Sequence, residues 1–168
     1  MEYFTTEWAS GNLSDDAYAR VIEQYNEYLS TLDRTSGAWR FATTISLNDA
    51  YLDRVLYDRS EGSLRLSLLT GDNQVGYWMT ELTYAAARIA DGERVLKLGL
   101  SKRPSEIWYA EFTGSPNASS HAFLLAPNNG QRLRSPGEFR ISFDKFDFAQ
   151  VRIATRQLPT ATDLSVWG

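Results

Sequence analysis

Apolar positions along this chain follow two different periods, and the change comes near Gly37. Upstream, Tyr18, Val21, Ile22, Tyr25, Tyr28, Leu29 and Leu32 recur at three- and four-residue spacing. That spacing predicts an amphipathic helix with one apolar stripe over about five turns. Leu13-Ser14-Asp15-Asp16 supplies its start. Ser14 is a capping residue, the two aspartates suit the positive end of the helix dipole, and Leu13 and Tyr18 fit a hydrophobic staple. The helix is expected to end between Asp33 and Ser36, with Gly37 as its stop. A short helix around Glu7 and Trp8, capped by Thr5 or Thr6, is expected before it.

Downstream the period shortens to two. Trp39, Phe41 and Ile45 predict an extended lead-in, and Tyr51 to Tyr57 a strand. After a turn at Arg59-Ser60-Glu61-Gly62, Leu64, Leu66 and Leu68 alternate with Arg65 and Ser67, as in a half-buried strand. Gly71-Asp72-Asn73 and Asp91-Gly92 predict turns around one long or bent strand from Val75 to Ile89. Further strands are expected at Val95 to Leu100, Glu106 to Phe112, His121 to Leu125, Phe139 to Phe143 and Phe146 to Ile153. Gly114 to Asn117 and Pro127 to Gly130 are loops by composition. The expected fold is α+β, with an N-terminal amphipathic helix packed on an antiparallel sheet or sandwich of seven to eight strands. Residues 1–168 form a single domain in this reading: a helical head (1–37), a β-rich body (38–158) and a tail (159–168) ordered by docking Leu164, Val166 and Trp167.

Composition narrows the chemistry. The 168 residues include nine Tyr, eight Phe and five Trp, too apolar a mixture for disorder. No apolar run reaches the roughly 20 residues of a membrane helix. The N-terminus lacks the pattern of a secretory signal, so a cytoplasmic location is expected. The absence of Cys excludes disulfides, thiolate catalysis and Cys-based zinc sites. Asn117-Ala118-Ser119 matches a glycosylation sequon, read here as a chance match. The net charge of −4 is uneven: residues 1–62 hold 11 Asp/Glu against 5 Lys/Arg, and the remainder 10 against 12. An acidic N-terminal third favours a basic partner and disfavours nucleic acid.

Catalytic signals are sparse. His121 is the only histidine, no Gly-x-Ser-x-Gly elbow accompanies it, and no metal-ligand spacing or glycine-rich phosphate loop occurs. No cofactor is expected, and the chain reads as a non-enzyme. Asp144 and Asp147 in Phe143-Asp144-Lys145-Phe146-Asp147-Phe148 form a carboxylate pair on paper. A turn between two strands with Phe139, Ile141, Phe143, Phe146 and Phe148 inward accounts for them more simply. Trp108 and Tyr109 are adjacent, so a regular strand would send one to the core and leave the other as a surface anchor. On the helix, Asp16, Arg20, Glu23 and Glu27 share one polar stripe. It is an ordinary solvated face or an acidic patch for a basic partner. The candidate partner-binding residues are therefore Asp16, Glu23, Glu27, Trp108 and Tyr109.

Three segments resemble an uncharacterised family of small bacterial cytosolic proteins. Its members open with a Tyr-Phe-Thr-x-Glu-like segment, here Tyr3-Phe4-Thr5-Thr6-Glu7-Trp8. They carry Ser-Leu-His-Asp-Ala before the first strands, here Ser46-Leu47-Asn48-Asp49-Ala50. Their last strands read like Gly137 to Phe148. Related domains are similar to immunity proteins of bacterial toxin systems. The resemblance implies a non-catalytic protein-binding module, concretely one that neutralises a basic, toxin-like protein. Asn48 stands where the family pattern has His. Asn neither titrates nor serves as an imidazole ligand, so the segment is read as a structural turn whose Asn48 and Asp49 hold backbone N–H groups. Two alternatives stand beside this reading. One is a small-ligand-binding sandwich or barrel with Trp78, Tyr84, Trp108 and Tyr109 around a cavity; the other is a hydrolase centred on His121. An exposed edge strand would also permit a homodimer.

Overall fold

The computed structural model describes residues 1–72, 76–100, 105–114, 118–127 and 135–154. The expected turn at residue 73, most of the two predicted loops and the tail 159–168 lie outside the described residues. Helices α1 (Thr6–Ala9) and α2 (Asp15–Ser30) begin under the caps expected of them. The Thr5 hydroxyl accepts the Trp8 N–H, and the Ser14 hydroxyl accepts the Ala17 N–H. Helix α2 ends at Ser30, before the expected stop. A third helix, α3 (Gly37–Thr44), replaces the extended lead-in predicted for Trp39 and Phe41. The Ser36 hydroxyl caps it by accepting the Trp39 N–H at 3.1 Å, and buried Ala38 and Phe41 stand three residues apart on one face. Gly37 therefore starts a helix. Its missing side chain is explained by the last strand, because a Cβ there would strike the carbonyl of Phe146.

The strands are β1 (Ala50–Asp58), β2 (Ser63–Asp72), β3 (Gly76–Ala85), β4 (Arg88–Asp91), β5 (Glu106–Thr113), β6 (Ser120–Leu125), β7 (Gly137–Ser142) and β8 (Lys145–Ala154). They form one antiparallel sheet in the order β4-β7-β6-β5-β1-β2-β3-β8, which establishes the α+β architecture. Two sequence expectations fail here. The long strand from Val75 to Ile89 is broken at Ala86, which takes a left-handed conformation (φ 52°), so its second half pairs with β7 as β4. The segment expected as a strand from Val95 to Leu100 is mostly helix α4 (Glu93–Gly99). Leu96 and Gly99 are its buried positions, three residues apart. Glu93 and Lys97 pair at 2.8 Å across one turn, a spacing that serves a helix and not a strand.

Strands β7 and β8 are separated by only Phe143 and Asp144, yet β8 lies at the opposite edge of the sheet from β4 and β7. The sheet therefore folds over, with β4-β7-β6-β5 facing β1-β2-β3-β8. Leu64, Leu66, Leu68, Leu82 and Tyr84 from one layer meet Ile107, Phe112, Phe123, Phe139 and Ile141 from the other in a fully buried core. Among the described residues the two layers are joined at β1 and β5 through two residue pairs, Ala50 with Ile107 and Tyr51 with Glu106, flanked by a bond from Leu52 N–H to the Ser105 carbonyl. Beyond that seam, among the described residues, β5 has no neighbouring strand on its β1 side.

The N-terminal segment and helices cover this opening. Glu111 on β5 is fully buried, and its carboxylate accepts the backbone N–H groups of Glu2, Tyr3 and Phe4, the latter two at 2.9 Å. Phe4 packs edge-on against Tyr25 at 4.9 Å, and Tyr25, Leu29 and Leu32 form a second apolar cluster with Tyr3, Tyr28 and Trp39. The Tyr25 hydroxyl accepts the Phe112 N–H at 3.0 Å, replacing a strand partner. Burial pushes the Tyr28 hydroxyl up to about 12 and that of Tyr25 higher still.

Replacing Glu111 with Ala orphans up to three backbone donors and is expected to cost about 2–4 kcal/mol, after partial rehydration of those groups. Urea denaturation measures the loss, and hydrogen exchange at the Tyr3 and Phe4 amides should rise toward the unprotected rate. Gly37→Ala should destabilise by about 1–3 kcal/mol through its clash with β8. A neutral result in either case contradicts the packing described.

Candidate functional site

The Ser46–Ala50 segment lies at the seam, where α3 hands over to β1. The Ser46 hydroxyl accepts the Asn48 N–H at 3.3 Å, Ala50 N–H bonds to the Leu47 carbonyl, and Asp49 N–H bonds to the Ile107 carbonyl of β5. The turn is thus held by Ser46 and by backbone groups. The side chains of Asn48 and Asp49 are not the donors' partners that the sequence suggested. Asp49 adopts a left-handed conformation (φ 64°), which Asp tolerates better than most residues. Asn48 and Asp49 are exposed, while Leu47 and Ala50 are buried and anchor the turn on either side.

Two clefts open beside this turn, and Asn48 lines both. The first, about 300 Å³, is bounded by Asn48, Asp49, Glu106, Trp108, Tyr109 and Ala9. The Asp49 and Glu106 carboxyl groups are neighbours in this cleft. Partial burial first, then the adjoining Asp49 carboxyl, holds the Glu106 carboxyl above its usual range. Among the described residues no cation pairs with either carboxylate. Trp108 and Tyr109 both face this cleft. Neither is core, which corrects the expectation that a regular strand would bury one of them. The register of β5 against β6 shifts between Ile107 and Tyr109, so Trp108 is the extra residue of a bulge and the alternation breaks there. Tyr109 is steadied by Trp8, edge-on at 4.6 Å, and by Phe4 at 5.8 Å.

The second cleft, about 400 Å³, lies between α3, residues 45–48 and the free side of β5. Its lining includes His121, which is 1% exposed. The ring stacks on Phe112 at 3.9 Å and lies 4.2 Å from Phe123. Its Nδ1 shares a 2.8 Å hydrogen bond with the Tyr84 hydroxyl. Burial holds the imidazole well below 6.5 and pushes the Tyr84 hydroxyl well above 10, so both are neutral across the physiological range. Ser120 precedes His121 on β6 and points to the opposite face, so the two do not form a nucleophile–base pair.

The remaining expectations divide. Asp16, Glu23 and Glu27 stand exposed on α2 and line neither cleft; Arg20 Nε donates to the Asp16 carbonyl at 3.2 Å, not to its carboxylate. The four rings proposed around one cavity are dispersed. Tyr84 is core, Trp78 lies on β3 under the Arg152 guanidinium at 5.6 Å, and only Trp108 and Tyr109 share a cleft. Asp147 pairs with Arg40 of α3 at 3.2 Å, and Asp144 is exposed in the β7–β8 turn. Sequence reading missed Glu106 as a partner for Asp49, because nothing local announces a pairing across 57 positions. Among the described residues no helix is long and apolar enough to cross a membrane. No family model matches this chain, and neither a curated protein nor a solved structure matches it.

The depressed His121 gives a stability contribution present above about pH 6.5, the unfolded value, and lost as pH falls toward the folded value. The unfolded chain takes up a proton that the native state refuses, with a slope of up to about 1.4 kcal/mol per pH unit. His121→Gln should remove that component. The loss of stability between pH 7.5 and 5.5, read by chemical denaturation, should shrink by about 1 kcal/mol or more in the variant. Equal losses in both proteins would show that His121 is protonated normally.

Proposed function

We propose that this protein is a non-catalytic binding module for a basic protein partner, of the immunity type, and that the cleft of Asp49, Glu106, Trp108 and Tyr109 receives a Lys or Arg side chain from it. The observation that carries this reading is the pair of neighbouring carboxyl groups, Asp49 and Glu106, set beside two half-buried rings in one cleft. Burial and the neighbouring acid disfavour the charged form of Glu106, and an entering cation would favour it. An entering guanidinium or ammonium meets both carboxylates and the ring faces. Trp and Tyr in a partly desolvated cleft are the residue types that dominate interface energies. The acidic face of α2, with Asp16, Glu23 and Glu27, then contributes to long-range attraction and not to contact. This reading keeps the protein cytoplasmic, without cofactor and without a nucleic-acid ligand. It also treats His121, tied to Tyr84 and stacked between rings, as part of the interior.

The test is co-expression with the products of neighbouring genes, followed by titration of any purified complex. The expected partner is basic, and its complex weakens as salt shortens the screening length from about 10 Å at 0.1 M to about 3 Å at 1 M. Trp108→Ala should weaken it about 30-fold, equivalent to roughly 2 kcal/mol. Affinity should fall as pH drops through the raised Glu106 value, and Glu106→Gln should flatten that profile. An acidic partner, or a complex indifferent to Trp108 and Glu106, would overturn the proposal.

A further inference from the structure

The outer face of the β1-β2-β3-β8 layer carries apolar side chains that the fold does not bury. Leu64, Leu66 and Leu68 point into the core, so Arg65, Ser67 and Leu69 point outward. Strand pairing aligns Tyr51, Leu69, Met79 and Val151 in one row across these strands. Residues paired directly across strands share a face, so the row is a continuous apolar band. Its ends are open to solvent, with Tyr51 40% and Val151 63% exposed. Leu56, 55% exposed, stands on the same face of β1. Contiguous exposed apolar surface of this kind marks an interaction site.

The charges beside the band are ordered. Asp58 and Lys145 end one row, Arg65 and Asp147 share the next, and Arg54 and Glu81 the one nearest the band. Consider a second copy turned over this face about a twofold axis running along the strands. Each β1 then meets β8 of the other copy, and each β2 meets β3. Tyr51 lies over Val151, and Leu69 over Met79. Asp58 lies over Lys145. Arg54 and Arg65 lie over Ala149 and Thr83, with Glu81 and Asp147 of the other copy alongside. In these rows no like charges oppose one another. Within one copy Arg65 and Glu81 approach to 3.9 Å and Asp147 pairs with Arg40, so these charges enter the contact partly compensated.

We propose that this face is a homodimer interface, in which two copies of the chain pack their β1-β2-β3-β8 layers against each other about that axis. The arrangement is isologous, with one self-complementary patch on both copies. Strands about 4.8 Å apart and about ten residues long, at about 3.3 Å per residue, present roughly 600 Å² in projection. Side-chain relief raises the accessible area toward the about 800 Å² per partner of a standard interface. Asp49, Trp108 and Tyr109 have no place in these rows, so the inference stands apart from the basic-partner reading.

Light scattering on the purified full chain should show a dimer with a dissociation constant of about 10 μM or tighter. Val151→Glu, at an exposed position, should weaken it by about tenfold or more while keeping the parent's circular dichroism spectrum. The chain has no cysteine, so single cysteines report the geometry. Tyr51→Cys and Val151→Cys, mixed and treated with a short bismaleimide, should crosslink to one another far more than either does to itself. The two ends of the band lie about 14 Å apart across the sheet, which keeps identical positions apart in this dimer. A chain that is monomeric at about 100 μM leaves the face to its own residues 155–168 or to another partner, and overturns the proposal. So does a dimer indifferent to Val151→Glu. Crosslinking of Val151→Cys chiefly to itself places the contact along the β8 edge and overturns it as well. Self-association is read on the chain alone, so failure here leaves the basic-partner reading standing.

Discussion

The hydrogen bond between the Tyr84 hydroxyl and His121 Nδ1 ties the two layers of the folded-over sheet together at their centre. Tyr84 belongs to β3 and His121 to β6, on opposite sides of a seam that carries two residue pairs among the described residues. Continuous pairing therefore contributes little to the relative placement of the layers. Apolar packing supplies most of the attraction, but packing alone tolerates sliding. A buried polar pair that spans the two layers does not, because a register that separates the two leaves both unsatisfied at about 1–3 kcal/mol each. Phe112, Phe123, Phe143 and Phe146 surround the pair with rings and complete the constraint.

The same short seam explains where the clefts lie. A sheet with full β1–β5 pairing would have no open edge in its middle. Here, among the described residues, β5 runs on past Ile107 with no strand on its β1 side, and the chain covers the gap with helices. Tyr25 substitutes for one missing backbone partner, and the Glu111 carboxylate collects three N–H groups of the N-terminal segment. Helices are a coarser cover than a strand. The turn at Ser46–Ala50 sits in the remaining opening with a cleft on each side. Both clefts are consequences of one topological fact, and neither needs a dedicated insertion.

What the sequence revealed depended on how far each signal reached. The caps at Thr5 and Ser14, the stripe of α2 and the alternation of Leu64, Leu66 and Leu68 are local, and they lie where the residues put them. Segments of seven or eight residues misled, because one or two helical turns offer too few apolar positions to separate a 3.6 period from a period of 2. Both α3 and α4 were lost in this way. Gly37 read as a stop when its role was to admit the Phe146 carbonyl, a contact made across more than 100 residues. Trp108 and Tyr109 were recognised as an anchor pair, but the bulge that turns both toward one cleft depends on pairing with β6. Asp49 was visible and Glu106 was not, since only the seam brings them together.

Three local costs coincide around that first cleft. Asp49 takes a left-handed backbone, which glycine or asparagine would adopt more cheaply. Its carboxyl lies against that of Glu106, an unfavourable contact whenever both are ionised. Trp108 occupies a bulge that interrupts the β5–β6 ladder and leaves a large ring half exposed. None of these features stabilises the fold, and a regular strand with Gly at the turn would be sturdier. Departures from local consistency that cluster in space, when the rest of the chain obeys it, mark the place where a protein is shaped for something other than its own stability. Here they converge on the small acidic and aromatic cleft on which the proposed cation-binding reading rests.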